Sequence, residues 1–354
     1  MKSELELPTD LYRPIVQHLG DSKTLVSLAL TSKVFHQEAI QHLYHTLRLA
    51  WIPFATQKKC LSTISHSAKY ADLVRTFTFT PREAPDGPLC EQGDEYWELL
   101  AAGLSALKNL TTLGFPGDLP SFAPSILLPH CSMPKLTLFM WPPLTGENEL
   151  IPFFERHPNI RQIQLSWGRN PDVLLRNPHV LPRLNRIWGS TSALNALLPD
   201  RKVPNVEWIG SPLGQYPSQA TLESLRDVRM LLLGGYGRPS GAFLPDLAPY
   251  LNNLEVLLIM EFEAADDLVT QISHLSRLRR LVFVWGHGDR SCIERLFWAG
   301  SRTLEVIAVC WDDEEAFEEY RPRWFEQDGG TQLQVSHELV GDDWEIGDEV
   351  TDDR

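Results

Sequence analysis

The sequence predicts an α/β fold (α+β overall): an amino-terminal module of three helices, then an irregular solenoid with parallel strands inside and helices outside, and an acidic carboxy-terminal cap. Three observations predict it. Apolar residues follow helical spacing over the first 49 residues, short apolar segments then recur every 22 to 26 residues, and acidic residues concentrate near the carboxy terminus. We therefore predict four regions: a helical module at 1–49, a connecting segment with an irregular first repeat at 50–105, a repeat solenoid at 106–311, and a cap and tail at 312–354.

The helical module contains three short amphipathic segments. Thr9 and Asp10 are predicted to cap the first helix, and Asp21 or Ser22 the second, while the third is predicted to continue to Leu49. Three helices of this length bury too little apolar surface to be stable alone, so the module needs a partner. The apolar residues at helical spacing are Leu11, Ile15 and Leu19 in the first helix, Leu25, Leu28 and Ala29 in the second, and Phe35, Ala39 and Leu43 in the third.

This module resembles the F-box, in the form common among fungal F-box proteins. Leu7 and Pro8 open it as the Leu-Pro of that family does, Asp10 stands where Glu is commoner, and the segment 28–35, L-A-L-T-S-K-V-F, ends in the aromatic residue of the family. The resemblance covers residues 7–49. It implies binding to the Skp-family adaptor of SCF-type ubiquitin ligases, and through that adaptor to a cullin-RING ligase. The implied adaptor-binding residues are Leu7, Pro8, Leu11, Ile15, Leu19, Leu25, Leu28 and Phe35. The alternative is a helical cap on the following domain that binds nothing.

After Leu49 the sequence repeats a short strand-like pattern, L-x-x-L-x-L, in which other large apolar residues sometimes replace Leu. Successive repeats start 22 to 26 residues apart, which is the period of leucine-rich repeats. Leu73 is predicted to start an earlier irregular unit, with an insertion at 81–93, and Gly189 and Ser211 are weak members of the core positions. The first residues of the nine regular repeats are Leu110, Leu136, Ile160, Leu184, Val206, Val228, Leu254, Leu278 and Leu304.

Helix-like stretches follow several of these strands, at 147–157, 218–227, 264–276 and 290–300. Because one strand and one helix cannot bury their own apolar faces, neighbouring repeats must stack into a curved solenoid. The region resembles the leucine-rich-repeat region that follows the F-box in one large class of F-box proteins. It lacks the Asn that this family often places at the eighth position of each repeat, so we expect an irregular solenoid.

The fourth residue after each repeat start is predicted to face the concave side of the solenoid. This row is mostly apolar, whereas a solvated face would carry charged residues. Its members are Gly114, Met140, Gln164, Trp188, Gly210, Leu232, Leu258, Val282 and Ala308. Apolar and aromatic groups on a rigid scaffold are typical anchors of a protein-binding groove. The predicted target-binding residues are Met140, Gln164, Trp188, Leu232, Leu258 and Val282, together with Trp167 and Trp285 at strand ends. In the alternative, another part of the chain covers the row, for which Trp324, Phe325 and Trp344 are candidates.

The charge of the chain is unevenly distributed. Its net charge is −14, and the segment 312–354 carries 16 acidic against 3 basic residues, so the rest of the chain is nearly neutral. With no basic stripe to neutralise phosphates, we expect neither a nucleic-acid partner nor an anionic membrane. The acidic segment also contains aromatic residues, so we expect it to be ordered to about Ile346, as a cap on the last repeat.

No catalytic or metal-binding motif stands out in the sequence. The glycines of 234–241 fit a turn better than a phosphate loop because no G-K-[ST] follows them, His42 and His45 belong to no H-E-x-x-H pattern, and the 5 cysteines form no C-x-x-C pair. No apolar stretch approaches the roughly 18 residues that cross a bilayer. We therefore expect an intracellular protein of the cytoplasm and/or nucleus, with no cofactor, no metal and no enzymatic activity.

Together with the F-box resemblance, these patterns predict a substrate-recognition subunit of an SCF-type cullin-RING E3 ubiquitin ligase. Such a subunit would bind the Skp-family adaptor through its helices and an unknown target protein through its solenoid, for ubiquitin-dependent degradation. The alternative is a leucine-rich-repeat-like protein-interaction scaffold with no ligase link. Co-purification of the adaptor would distinguish the two.

Overall fold

The structure is a computed structural model that describes residues 8–50, 52–79, 94–115, 119–142, 147–165, 177–210, 216–235, 244–263, 266–287, 303–311, 316–324 and 331–339. The chain forms two compact units. Unit 1 consists of residues 1–164 and 179–183, and unit 2 of residues 165–178 and 184–354.

Unit 1 begins with the three predicted helices, α1 (Thr9–Gln17), α2 (Ser22–Ala29) and α3 (Lys33–His45). The carboxylate of Asp21 caps α2 by accepting hydrogen bonds from the backbone N–H groups of Lys23 and Thr24. The predicted cap of α1 is wrong, because Pro8 occupies the cap position and its side chain makes no capping hydrogen bond.

The third helix is shorter than predicted. It ends at His45, and residues Thr46–Arg48 form strand β1 instead of a last helical turn. Strand β1 pairs in parallel with β2 (Thr76–Thr78), so the hydrogen bonds of the sheet replace those of the helix. The first strand of the sheet therefore lies within the region predicted to be helical.

The segment 50–105 contains helices that the sequence patterns did not indicate: α4 (Phe54–His66), α5 (Ala68–Ala71) and α6 (Asp94–Ala106). Gln57 of α4 is fully buried, and it accepts a hydrogen bond from the Tyr96 hydroxyl while its amide donates to the carbonyls of Leu49 and Ile52. A buried glutamine with satisfied donors and acceptors is consistent with a specific core. The predicted insertion at 81–93 lies outside the described residues.

Parallel pairing continues along unit 1. The remaining elements are β3 (Thr112–Gly114), α7 (Ala123–Leu127), β4 (Leu138–Trp141) and α8 (Glu147–Arg156), and β5 (Gln162–Leu165) follows at the boundary of the units in the sequence. Strands β1 to β4 pair in sequence order. Phe77, Leu113 and Phe139 are register partners and have no exposed surface, so they form a continuous core column.

Unit 2 has the same strand-plus-helix alternation. Its elements are β6 (Arg186–Gly189), α9 (Thr191–Leu197), β7 (Asn205–Gly210), α10 (Gln219–Ser224), β8 (Met230–Gly235), α11 (Leu244–Leu247), β9 (Val256–Glu263), α12 (Asp266–Ser273), β10 (Arg280–His287), β11 (Val306–Trp311), β12 (Ala316–Trp324) and β13 (Thr331–Leu339). Strands β6 to β11 pair in parallel and in sequence order. Strands β12 and β13 form an antiparallel hairpin paired to β11, where a cap was expected.

These features confirm the predicted α/β arrangement of leucine-rich-repeat type, in which parallel strands alternate with helices. A strand is present in each of the nine regular repeats. Three predicted helical stretches contain α8, α10 and α12, and the fourth, 290–300, lies outside the described residues.

Strand register corrects two of the predicted repeat starts. Val206 is the partner of Ile187, the third residue after its repeat start, so this repeat starts at Val203 and its fourth residue is Glu207, not Gly210. Likewise, Phe77 pairs with Leu113, so the early unit starts at Val74 instead of Leu73. Both errors in the repeat start arise because two apolar residues fit the first position of the pattern. Val203 and Val206 are three residues apart, and Leu73 and Val74 are adjacent.

Gly189 is not a weak core member, as the sequence suggested. A Cβ atom at this position would lie 2.5 Å from the carbonyl oxygen of Leu165 and 2.8 Å from the Cβ atom of Ala193 in α9. The position therefore needs glycine because backbone and helix approach it closely. The corrected register of β7 places Trp208 at the fifth position of this repeat, and Ser211, which was assigned there, lies outside the described residues.

A side-chain ladder is present at a position other than the predicted one. The residue just before a repeat start donates a hydrogen bond to a backbone carbonyl of the preceding repeat: Asn109 to Asp72, Asn159 to Pro134, Asn253 to Arg226, and Thr303 to Ser276. These bonds satisfy backbone carbonyls at the turns before the strands. The eighth-position Asn is thus not needed for this purpose.

Candidate interaction surfaces

The first candidate surface lies on the three amino-terminal helices. Leu11 and Ile15 of α1 have exposed fractions of 45% and 37%, and Pro8 is exposed as well. The inner side of α1 instead carries Val16, which is buried, and Tyr12, whose ring lies 4.6 Å from that of Phe35 between centroids. The module therefore packs with part of its apolar stripe facing solvent.

The remaining predicted adaptor-binding residues differ in burial. Leu25 is buried, whereas Leu19, Leu28 and Phe35 are partly buried. Leu7 lies outside the described residues. Of the seven described residues in this set, Pro8, Leu11 and Ile15 are exposed, while Leu25 contributes to the core of the module.

Three exposed apolar residues were missed by the sequence analysis: Val26, Leu30 and Val34. Leu30 is 83% exposed, more than any other large apolar residue in the described part of the chain. Val26 and Leu30 lie four residues apart, off the buried Leu25–Ala29 stripe, which is the signal that could have identified them. We call Pro8, Leu11, Ile15, Val26, Leu30 and Val34 together the helical face.

The second candidate surface is the side of the strands that points away from the helices, which we call the strand face. In unit 2 the indole N–H of Trp208 donates to the hydroxyl of Thr191 in α9 at 3.0 Å, so Trp208 points toward the helices. Side chains alternate along a strand. Trp188 and Glu207 therefore point to the strand face. For Trp188, the fourth residue after its repeat start, this is the predicted side of the sheet.

Burial along the strand face is not uniform. Met140 and Gln164 are partly exposed, as are Trp188 and Leu232 in unit 2. By contrast, the exposed fractions of Leu258, Val282 and Ala308 are 2%, 1% and 0%. Trp167 and the side chain of Trp285 lie outside the described residues. The predicted target-binding row thus contains an open part and a buried part.

The open part in unit 2 combines an aromatic residue with an ion pair. The guanidinium of Arg186 donates from Nε to Oε1 of Glu207 at 2.6 Å, and its terminal nitrogen contacts the same oxygen. Trp188 is the register partner of Glu207 on the adjacent strand. Because the ion pair is partly buried, it fixes the orientation of both charged side chains beside the indole. This arrangement can contact a protein through its indole and its paired charges.

Buried titratable groups lie away from both surfaces. Burial raises the pKa of the Cys131 thiol to about 12, and this thiol donates to the carbonyl of Leu127. Burial likewise lowers the pKa of His157, whose Nε2 accepts from the backbone N–H of Met133 and whose Nδ1 contacts the carbonyl of Phe153. Both side chains have structural partners in the core.

Two further features are absent from the described residues. No group of three or more His, Cys, Asp or Glu side chains in this part of the chain could hold a metal ion. None of its helices is long and apolar enough to span a membrane.

Comparisons with known proteins found similar chains among solved structures. No protein-family model matches the chain, and no curated protein matches it. Among solved structures, a Bacteroides fragilis protein from a structural genomics programme matches with a TM-score of 0.43 and 10% identity, covering 74% of this chain and 73% of that one.

Two other solved structures are an internalin from Listeria monocytogenes and TLR13 in its complex with ssRNA13. The internalin matches with a TM-score of 0.37 and 12% identity, covering 87% of this chain and 92% of its own. TLR13 matches with a TM-score of 0.32 and 14% identity, covering 74% of this chain and 45% of its own. Because all three TM-scores are low, the fold assignment depends on the repeat spacing and strand register of this chain itself.

Proposed function

We propose that this chain is a protein-interaction scaffold that binds a partner protein on the open part of the strand face in unit 2. The observation that carries the proposal is the partial exposure of Trp188 and Leu232 on a paired sheet. Large apolar groups on a rigid surface, bordered by polar groups such as Arg186 and Glu207, are typical of the anchor residues of protein interfaces. The proposed role involves binding and no chemical step.

A quantitative affinity purification tests this proposal. Proteins captured by the wild-type chain would be compared with those captured by Trp188→Ala and by Tyr216→Ala, an equally drastic truncation of an exposed aromatic residue. We expect at least one protein to be retained by Tyr216→Ala but lost with Trp188→Ala. Its purified form should then bind Trp188→Ala at least about tenfold more weakly, as for a typical hot-spot residue. If the wild type, Trp188→Ala and Tyr216→Ala all captured the same proteins, the proposal would be contradicted.

The second candidate function is that of a receptor subunit of an SCF-type ubiquitin ligase, with the partner on the strand face as its target. It is favoured by the resemblance of residues 7–49 to the F-box and by the exposed apolar residues of the helical face. A small helical module that leaves Leu11, Ile15 and Leu30 in solvent has apolar surface to bury against another protein. The Skp-family adaptor is the partner that the resemblance implies.

Pull-down of a purified Skp-family adaptor tests this second candidate. Ile15→Lys places a charge on the helical face, and Gln17→Lys, on an exposed position of the same helix, is the matched control. Because burying an unpaired charge in an interface is costly, we expect adaptor recovery to fall at least tenfold with Ile15→Lys and to be unchanged with Gln17→Lys. Equal recovery by both variants, or no recovery by the wild type, would leave the scaffold function without a ligase link.

A further inference from the structure

The open part of the strand face in unit 2 is a patch of two parallel rows across β6, β7 and β8. Register partners form the rows: Trp188, Glu207 and Leu232 in the first, and Arg186, Asn205 and Met230 in the second. All of them except Met230 are partly exposed. Neighbouring strands lie about 4.8 Å apart, and side chains on one face of a strand about 6.6 Å apart, so the patch measures about 10 by 7 Å. This length corresponds to about three residues of an extended chain.

The ion pair of Arg186 and Glu207 crosses this patch diagonally, because Arg186 is opposite Asn205 and Glu207 is opposite Trp188. Both contacting nitrogens of Arg186 use the same carboxylate oxygen, Oε1. The other oxygen, Oε2, accepts no hydrogen bond in the described part of the chain. Since the Glu207 side chain is only 12% exposed, Oε2 is a recessed acceptor. A donor from a bound partner would therefore satisfy an acceptor that the fold leaves open.

The two rows of the patch carry no net charge, because their only charged residues are Arg186 and Glu207, which compensate each other. A partner cation near Oε2 would lie close to the guanidinium, and a partner anion near Arg186 would lie close to the carboxylate. The pair therefore selects against both kinds of charged group. By contrast, one residue of an extended peptide points its N–H and C=O to the same side. Such a residue can donate to Oε2 of Glu207 and accept from a remaining N–H of Arg186.

We propose that the partner of this patch is an uncharged, extended peptide segment of about three residues. Its apolar side chains contact Trp188 and Leu232, and the backbone N–H and C=O of one residue pair with Glu207 and Arg186. The ion pair thus acts as a neutral hydrogen-bonding group that determines specificity, whereas the apolar residues supply affinity. This inference rests on the proposed scaffold function and specifies the class of its partner.

Selection from a library of random heptapeptides displayed on phage tests this proposal, with the full chain immobilised. Peptides that bind the wild type but not Trp188→Ala are sequenced and synthesised. We expect uncharged segments whose Kd changes less than about twofold between about 50 and 500 mM NaCl, because salt screens no charged contact with the peptide. A larger change, or selected peptides rich in Lys and Arg or in Asp and Glu, would overturn the proposal.

Breaking the ion pair provides a second measurement. Glu207→Gln leaves the guanidinium of Arg186 without its counter-charge, so we expect this variant to select acidic peptides, and Arg186→Gln to select basic ones. Glu223→Gln is the matched control, because it breaks an exposed ion pair with Arg226 in the same unit and should select the wild-type peptides. If both patch variants melted like the wild type and still selected the wild-type peptides, the ion pair would not determine specificity and the proposal would be overturned.

These outcomes separate the partner class from the scaffold function. Charged peptides that depend on Trp188 would overturn the uncharged class while supporting a binding role for the patch. If no peptide depended on Trp188, a linear segment would not suffice and the proposal would be overturned. A folded protein captured through Trp188 in the affinity purification would then still support the scaffold function.

Discussion

The two units share a parallel strand arrangement but differ in the chemistry of the strand face. In unit 1 the strand-face positions of β2 and β3 include Thr76, Thr78 and Thr112, all partly exposed. In unit 2 the position that corresponds to Thr78, the fourth after the repeat start, holds Leu258 in β9 and Val282 in β10, and both residues are buried. The same backbone arrangement thus supports a partly exposed polar residue at this position in unit 1 and buried apolar residues in β9 and β10 of unit 2.

The common feature is the helix-side core. Phe77, Leu113 and Phe139 in unit 1 are fully buried register partners, and Leu231 and Leu257 are equivalent partners in unit 2. Because this side fixes which residues pair, the opposite side is free to vary without loss of register. A change on the strand face should therefore reduce stability at the buried positions of β9 and β10 in unit 2 and leave it nearly unchanged at Thr78 in unit 1.

The largest expected effect comes from a carboxylate on the strand face. Val282→Asp buries an unpaired charge, so we expect the free energy of unfolding to fall by about 3–5 kcal/mol. The matched change in unit 1, Thr78→Asp, leaves its carboxylate partly in water and should cost less than about 1 kcal/mol. Urea unfolding of both variants measures the difference. Equal losses would mean that the strand faces of the two units are equivalent.

A second comparison uses one glycine from each unit. In Gly189→Ala the new methyl group meets the Leu165 carbonyl and Ala193, neither of which can move freely, so we expect a loss of about 1–3 kcal/mol. In Gly114→Ala the closest group is the Cε atom of Met140, the end of a flexible side chain, and the expected loss is below about 1 kcal/mol. Thermal melts rank the two. A larger loss for Gly114→Ala would show that the closeness of the neighbouring backbone does not determine the stability cost of a methyl group at these two positions.

Repeat spacing was sufficient to predict the fold class, because buried apolar residues at a regular period have few alternatives to stacked strands. The nine strands were located, but the start of one repeat was displaced from Val203 to Val206, since both residues are apolar and only pairing distinguishes them. Helix α4 was missed because its apolar residues are interrupted by polar ones such as Gln57, whose burial depends on Tyr96 of α6, which is distant in the sequence.

The candidate surfaces were less predictable from sequence. A period of four identified Leu11 and Ile15 but could not show that they are exposed while Leu25 is buried, because that depends on how three helices pack. Similarly, an apolar strand face has the same sequence pattern whether it is open, as at Leu232, or covered, as at Val282. Only the tertiary structure separates the two.

Acid should destabilise unit 1 through His157. Its folded-state pKa is lowered by burial, so below the unfolded pKa of about 6.5 the unfolded chain binds more protons than the folded one. The stability that neutral His157 contributes is fully present above that pH. It is lost as the pH falls toward the lowered pKa, at up to about 1.4 kcal/mol per pH unit.

Urea unfolding at pH 7.5 and 5.5 measures this effect. His157→Gln, which does not titrate, should show a smaller decrease in stability between the two pH values than the wild type. Protonation of His157 would also break the hydrogen bond that Nε2 accepts from Met133 N–H. An equal decrease in both proteins would assign the acid sensitivity to other groups.

The smallest expected effects belong to the ladder of side chains before the strands, and they compare the units at one equivalent position. Asn159 in unit 1 donates to the carbonyl of Pro134 and accepts from Arg183 at 2.8 Å, whereas Asn253 in unit 2 donates to the carbonyl of Arg226. A single hydrogen bond contributes about 0.5–1.5 kcal/mol, less when it is exposed. We therefore expect Asn253→Ala to cost about 0.5 kcal/mol and Asn159→Ala about twice as much. Because the two sites share no partner, the double variant should lose the sum in urea unfolding, and a loss well above the sum would show that the ladder acts cooperatively across repeats.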